Sequence, residues 1–238
     1  MINSPVTVGV DARKAIVDGF PHENVIVSDL HAGNSRSERM SWNAHALIEF
    51  WDLGKKLFKI SPPEVMPERF LAGDIFDPSF LSPDGSPATP SSTPPSPPPA
   101  LSTLTSLTPL QHRISVIHTG AFFHLFDDVK QRKLAHLLAS LLSPLPGSMI
   151  LGSHMGRPDT EEYKNGGWRP SNLHPGAKMF AHSPTSWRNL WVGSGGVFRP
   201  QDVTVWTDTQ ERDRSYMNLA PGDTERKGHL LIWSVTRV

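Results

Sequence analysis

The sequence Asn24-Val25-Ile26-Val27-Ser28-Asp29-Leu30 places three consecutive apolar residues before a polar end. A β-branched run this short predicts a buried strand, here over 24–28, rather than a helix. Arg69–Ala72, which ends at Gly73-Asp74, has the same form, and Arg113–His118 is a further predicted strand with Ile114, Val116 and Ile117 as its core residues. Strands of this kind, with no polar face along them, are typical of a sheet that helices cover on both sides.

The segments between and after these strands predict helices and further strands. Helical spacing of apolar residues predicts helices over Val10–Phe20, His45–Phe58, Val129–Leu142 and Pro184–Val192. Additional strands are predicted at Ser148–Gly152, Val203–Thr207 and His229–Thr236. The alternation of strands and helices predicts one α/β domain over 1–238, with a mostly parallel sheet and the last two strands as an antiparallel edge hairpin.

Ser82–Leu110 interrupts this pattern, because it has nine prolines, twelve serines or threonines and a single charge in 29 residues. Such a composition predicts a disordered insertion with polyproline character, since it buries too little apolar area to offset the entropy of ordering. The segment is either a surface loop of tolerated length or a docking site for a proline-binding domain. Gly33–Asn43 is a second predicted loop.

The bulk composition narrows the function classes. Basic and acidic residues number 23 each, so no overall positive field favours nucleic acid. There is no cysteine, no apolar run long enough to span a bilayer and no signal-peptide pattern at Met1–Val10. The eleven histidines include no closely spaced ligand pair, so we expect no bound metal. A cytoplasmic protein without membrane or nucleic-acid partners is therefore expected.

Candidate binding residues follow three of the strands, where ligands of parallel sheets usually lie. Asp29 can accept hydrogen bonds from a ribose diol, or it can cap a turn. Asp74 can accept from an exocyclic amine beside Ile75, or it can form an Asx turn. Thr119-Gly120-Ala121, followed by aromatic residues, suits a cofactor with an apolar middle, although a packed aromatic loop explains it as well.

The order of these stretches resembles the class I S-adenosylmethionine (SAM)-dependent methyltransferases of fungal secondary metabolism, which methylate meroterpenoid and other polyketide-derived intermediates. The stretches that carry the resemblance are Asp11-Ala12-Arg13-Lys14, Ser28-Asp29-Leu30, Phe50-Trp51-Asp52-Leu53-Gly54, Gly73-Asp74-Ile75-Phe76-Asp77, Phe123-His124-Leu125-Phe126 and His182-Ser183-Pro184. The resemblance implies a Rossmann-like sheet, SAM as cofactor, and a small-molecule hydroxyl or carboxylate as methyl acceptor. It implies that Asp29 and Leu30 contact ribose, Asp74 and Ile75 contact adenine, and Thr119, Gly120 and Ala121 lie beside the methionine part.

The beginning of the chain departs from that resemblance. The methyltransferases start with a strand and a glycine-rich turn, for which only Val6–Val8 and Gly9 are present here. We therefore expect an N-terminally truncated chain with an incomplete first strand. A methyltransferase-like protein that binds without catalysing is the alternative. A dinucleotide oxidoreductase is disfavoured because no G-x-G-x-x-G motif follows a first strand.

His124 is the candidate catalytic base, because a neutral imidazole is available near pH 7 and a hydroxyl acceptor needs one. It can equally shape the acceptor pocket, or cap the helix that begins at Val129, without taking a proton. Trp168, Trp187 and Trp191 are candidates for an apolar acceptor wall or, alternatively, for the core. The expected partners are the small-molecule methyl acceptor and a second copy of the chain in a homodimer.

Overall fold

The computed structural model describes residues 5–30, 52, 56, 69–89, 97–170, 178–213 and 227–238. Its α-helices are α1 (Pro5–Val17), α2 (Asp128–Leu141) and α3 (Pro184–Val192). Its strands are β1 (Ile26–Leu30), β2 (Arg69–Gly73), β3 (Val116–Gly120), β4 (Met149–Gly156), β5 (Gly167–Pro170), β6 (Lys178–Ala181), β7 (Val203–Asp213) and β8 (Lys227–Arg237). Two compact units contain the described residues of 1–85 with 94–113, and of 86–93 with 114–238.

The first unit is built on a parallel pair of strands and one helix. β1 and β2 pair in register from Ile26 opposite Arg69 to Leu30 opposite Gly73. The buried residues that form its core come from α1, from the residue before β1 and from β1 itself: Ala12, Ile16, Val25 and Val27. Helix α1 ends at Val17, three residues before the predicted end, and Gly19 follows in the left-handed region at φ +104°.

The start of α1 corrects a prediction. Val6–Val8 and Gly9, expected to remain from a first strand and its turn, are helical here, because α1 begins at Pro5. Proline suits the first turn of a helix, since its missing N–H needs no intrahelical partner there. Of the predicted helix over 45–58 only Asp52 and Lys56 are described, both helical, and the predicted loop over 33–43 lies outside the described residues.

The described parts of the proline-rich segment, 82–89 and 97–110, contain buried leucines. Leu104, Leu107 and Leu110 are buried there. The Leu107 N–H donates to the Phe80 carbonyl at 2.8 Å, and the Ser82 N–H donates to Thr108 Oγ1 at 2.9 Å. Short 3-10 turns are formed at Leu101–Thr103 and Thr108–Leu110. Disorder of the whole segment stays a prediction.

The second unit contains a four-stranded sheet in the order β3-β4-β8-β7. β3 and β4 are parallel, whereas β8 is antiparallel to both β4 and β7. The predicted C-terminal hairpin is therefore confirmed, with longer strands than expected. The α/β class is also confirmed, while the Rossmann-like arrangement and the single domain stay predictions.

Helices α2 and α3 lie within a residue of their predicted bounds because their ends are encoded locally. Asp127 caps α2, where its side chain accepts from the Lys130 N–H at 2.7 Å. Ser183 and Ser186 form a capping box at the start of α3. The antiparallel pair β5–β6 was not predicted. Among the described residues, no helix has the length and apolar character to cross a membrane.

Candidate active site

Two of the predicted strand ends meet in the first unit. Asp29 and Leu30 are the last residues of β1, and their backbones pair with Ala72 and Gly73 of β2. Asp74 follows directly. Because the two strands are parallel, Asp29, Leu30, Asp74 and Ile75 all come to the same carboxyl edge. β1 extends two residues beyond its predicted end, so Asp29 belongs to the strand rather than to the loop after it.

The turn after β2 gives Asp74 one of the two roles that the sequence allowed. Its Oδ1 accepts from the Phe76 N–H at 2.9 Å, which makes the Asx turn that the sequence allowed. Oδ2 accepts no hydrogen bond from the described part of the chain, so one carboxylate oxygen remains available to a ligand. Ile75 is only 1% exposed, and it therefore anchors the turn in the core.

Gly73 is required by close packing in the same turn. A Cβ atom on Gly73 would lie 2.4 Å from the ring of Phe80, which is itself buried. No larger residue fits at this position unless that ring moves. The turn that presents Asp74 is therefore held on one side by an aromatic ring and on the other by the buried Ile75.

In the second unit, Thr119 and Gly120 end β3 and Ala121 follows with φ +51°. An alanine in the left-handed region costs about 1 kcal/mol, and such strain is concentrated at functional sites. The Ala121 N–H donates to the Ser153 carbonyl at 2.7 Å, which holds this conformation in place. Thr119 Oγ1 is buried and has no hydrogen-bond partner among the described residues. The polar, strained and exposed positions at this strand end fit a ligand-binding role.

His124 lies three residues beyond Ala121, in a 3-10 turn over Phe123–Leu125. Burial and, to a lesser degree, repulsion by Arg169 lower the pKa of His124 from its ordinary 6.5 to about 4. The imidazole is therefore neutral at pH 7, as a base requires, but it holds an accepted proton weakly. Its Nδ1 is buried without a partner in the described structure, which leaves it available to a ligand.

Two buried histidines of the second unit, His154 and His182, were not predicted as functional residues. His154 projects from β4, where residues alternate between half-buried and buried and His154 is on the buried side. Its Nδ1 accepts from Trp233 Nε1 at 3.0 Å. His182 Nδ1 lies 2.9 Å from Ser186 Oγ. The two-residue alternation of β4 was the available signal for His154, but nothing local indicated its partners.

Trp187 packs between these two histidines. Its ring centroid lies 4.7 Å from that of His154 and 5.3 Å from that of His182. Both Trp187 and Trp191 are fully buried, whereas Trp168 is 47% exposed. Burial is the largest cause that lowers the pKa of His182 to about 3 and the pKa of His154 well below 6.5.

The comparisons with known proteins agree with the resemblance to fungal methyltransferases. No family model matches the sequence. The chain is 29% identical over 203 residues to O-methyltransferase phiE of a fungal species (strain ATCC 74256), an alignment that covers 85% of this chain and 48% of that protein. The chain resembles fungal methyltransferases.

Two more relatives agree with this similarity. O-methyltransferase atr3 of Stereocaulon alpinum is 24% identical over 187 residues, covering 79% of this chain and 40% of that protein. The asnovolin E/chermesin D methyltransferase nvfJ of Aspergillus novofumigatus is 26% identical over 184 residues, covering 77% and 48%. The chain thus spans about half the length of the curated relatives it matches.

The methyltransferase resemblance leaves the assignment of individual site residues as a prediction. Asp29, Leu30, Asp74 and Ile75 are grouped within the first unit. Thr119, Gly120, Ala121 and His124 are grouped within the second, along one continuous stretch of chain.

Proposed function

We propose that this chain is a SAM-dependent O-methyltransferase that acts on a small molecule of fungal secondary metabolism, at a hydroxyl or a carboxylate. The proposal is carried by the similarity to fungal O-methyltransferases over most of the chain. The arrangement at the end of the β1–β2 pair supports it, since two acidic residues come to one edge of a parallel pair, as in nucleotide-binding sheets.

The residues present fit a nucleoside cofactor. Asp74 keeps one carboxylate oxygen available, while its other oxygen fixes the turn. A ribose hydroxyl or an adenine amine can donate to such an oxygen. In this proposal Asp29 and Leu30 hold the ribose and Asp74 and Ile75 flank the adenine, all within the first unit. The role predicted for Thr119, Gly120 and Ala121 rests on the resemblance alone. When bound, SAM supplies a methyl group on a positively charged sulfur.

The contribution of the protein to such a displacement is chiefly alignment and the exclusion of water. A carboxylate acceptor needs no base, whereas a hydroxyl acceptor loses its proton. His124 is the proposed residue at the acceptor oxygen. Because the pKa of His124 is about 4, its imidazole is better suited to hydrogen-bond that oxygen than to keep the proton that the oxygen loses.

The test is a calorimetric titration of the folded chain with SAM. We expect Asp74→Ala to weaken binding roughly 5- to 150-fold, because a buried polar partner loses its hydrogen bond. Asp77→Ala is the matched control: it changes a carboxylate three residues later that is exposed and bonded to Ser79, so affinity should stay unchanged. The same weakening is expected for Asp29→Ala.

A parallel titration with NAD(P) separates methyl transfer from hydride transfer. Binding of NAD(P) without SAM would contradict the proposal. So would equal SAM affinities for the wild type and both aspartate variants, since the cofactor site would then lie elsewhere. Transfer of a labelled methyl group to a hydroxyl or carboxylate acceptor completes the test.

A further inference from the structure

Four aromatic residues of the second unit form what we call the histidine cluster: His124, His154, His182 and Trp187. The His124 and His154 centroids are 6.4 Å apart, and Trp187 links His154 to His182. The cluster draws on the 3-10 turn after β3, on β4, on the residue before the α3 cap and on α3. It therefore gathers polar ring atoms from distant parts of the chain into one place.

Each member of the histidine cluster has a buried ring nitrogen without a hydrogen-bond partner in the described structure: His124 Nδ1, His154 Nε2, His182 Nε2 and Trp187 Nε1. For two of these nitrogens the role as hydrogen-bond donor is fixed. An indole N–H can only donate, so the bond from Trp233 makes His154 Nδ1 an acceptor and puts the hydrogen of the neutral ring on Nε2. His154 Nε2 and Trp187 Nε1 are thus two buried donors that lack an acceptor among the described residues.

Buried donors without acceptors destabilise a fold, so they are normally satisfied by water or by a ligand. A metal does not suit this cluster, because both fixed nitrogens carry hydrogen, and no group of three ligating side chains is arranged for one among the described residues. An oxygen atom with lone pairs does suit it. His124 is only partly buried and the adjacent Leu125 is 42% exposed, so the cluster reaches the surface at that end.

We propose that the histidine cluster is a subsite that binds an oxygen atom of the methyl acceptor, with His154 Nε2–H and Trp187 Nε1–H as donors. This inference rests on the proposed function, since it assigns the acceptor of that reaction. The lining is aromatic: the Phe123 ring packs edge-on against Trp187 at 4.8 Å and lies 5.9 Å from His154. The acceptor class is therefore a largely apolar, flat molecule that carries a phenolic or carbonyl oxygen.

His154 and Trp187 act here as positioning residues, since they orient the acceptor and hold no proton of the reaction. Trp233 has an indirect part, because its indole fixes the tautomer of His154. Burial keeps all three imidazoles uncharged near neutral pH, so the subsite selects an oxygen by hydrogen bonding and shape.

The experiment uses phenol as the probe and toluene, which has no oxygen, as its counterpart. Binding is followed in the full chain through the indole ¹⁵N–¹H resonances of the tryptophans. We expect phenol to shift the Trp187 indole resonance more than toluene does. We expect Trp187→Phe, which removes the donor and keeps a ring, to weaken phenol binding roughly 5- to 100-fold.

Trp191→Phe is the matched control. Trp191 is as buried as Trp187, lies one helical turn later and also has an indole N–H without a partner in the described chain, but its ring packs on Phe198, Phe123 and the other tryptophans rather than on a histidine. Phenol affinity should therefore survive in this variant. Equal losses in Trp187→Phe and Trp191→Phe would overturn the proposal, because both would then reflect a loosened core.

The wild-type spectrum decides the question even where a variant fails to fold. If phenol shifts neither the Trp187 indole nor the His154 imidazole, or binds no better than toluene, buried water satisfies these donors and the subsite does not exist. SAM titration of the same proteins keeps the two proposals apart. A wild type that binds SAM but not phenol refutes the subsite alone, whereas a wild type that does not bind SAM refutes the proposed function.

Discussion

Lowering the pH should destabilise this protein through the buried histidines of the cluster. In the folded state burial lowers the pKa of His124 to about 4 and that of His182 to about 3, with the Arg169 and Arg132 guanidinium groups adding to these shifts. The pKa of His154 is also well below the ordinary value. In the unfolded chain all three should titrate near 6.5.

The sign follows from proton binding. Below pH 6.5 the unfolded chain takes up protons that the folded chain refuses, so the free energy of unfolding falls as the pH falls and continues to fall toward pH 4. Above pH 6.5 the three rings are neutral in both states and contribute no pH dependence. Each histidine contributes a slope of about 1 kcal/mol per pH unit, so together they remove about 3 to 4 kcal/mol between pH 6 and 5.

Urea denaturation followed by tryptophan fluorescence at pH 7.5, 6.5, 5.5 and 5.0 measures this slope. His154→Gln removes one titrating ring, and it should reduce the slope by about one third. His22→Gln is the control, because that side chain is 37% exposed and lies outside the cluster. A free energy of unfolding that is flat from pH 7 to 5, or an unchanged slope in His154→Gln, would refute the reasoning.

Two further predictions concern packing. Leu107→Ala should lower the free energy of unfolding by about 2 to 5 kcal/mol, because Leu107 is buried. Thr105→Ala changes an exposed residue and should have little effect. Equal melting temperatures for the two variants would show that the proline-rich segment does not pack. Gly152→Ala should be strongly destabilising in a thermal melt, because its Cβ would lie 1.9 Å from the Thr119 carbonyl oxygen. The neighbouring Ser153→Ala should be tolerated. Similar melting temperatures for both variants would refute the close approach of Gly152 to Thr119.

The sequence predicted the elements whose signals are local. Helix α3 has its predicted bounds because Ser183, Pro184 and Gly193 mark its ends within a few residues. The strands β1 and β3 were predicted two to three residues too early, since a buried apolar run shows that a strand exists without showing which of its residues pair. β5 and β6 were missed because Gly167–Pro170 contains a glycine and a proline, and their pairing is fixed by contacts between segments.

The prediction of a disordered insertion over 82–110 rests on the average composition of the segment, in which prolines, serines and threonines dominate. Its described parts contain Leu104, Leu107 and Leu110 as buried residues, which the average composition does not indicate. Disorder of the whole segment stays a prediction.

The candidate site shows the limit of strand-end reasoning. Asp29, Asp74 and Thr119 could be found because a polar residue after an apolar run is visible in the sequence. His154 could not be assigned a role in that way, since its partners Trp233 and Trp187 are 79 and 33 residues away. Two features near the candidate site depart from the usual rules for backbone conformation and hydrogen bonding. Ala121 has a left-handed backbone, and the histidine cluster contains buried donors without an acceptor among the described residues. Such exceptions reduce stability, and a sequence keeps them where binding or chemistry needs them.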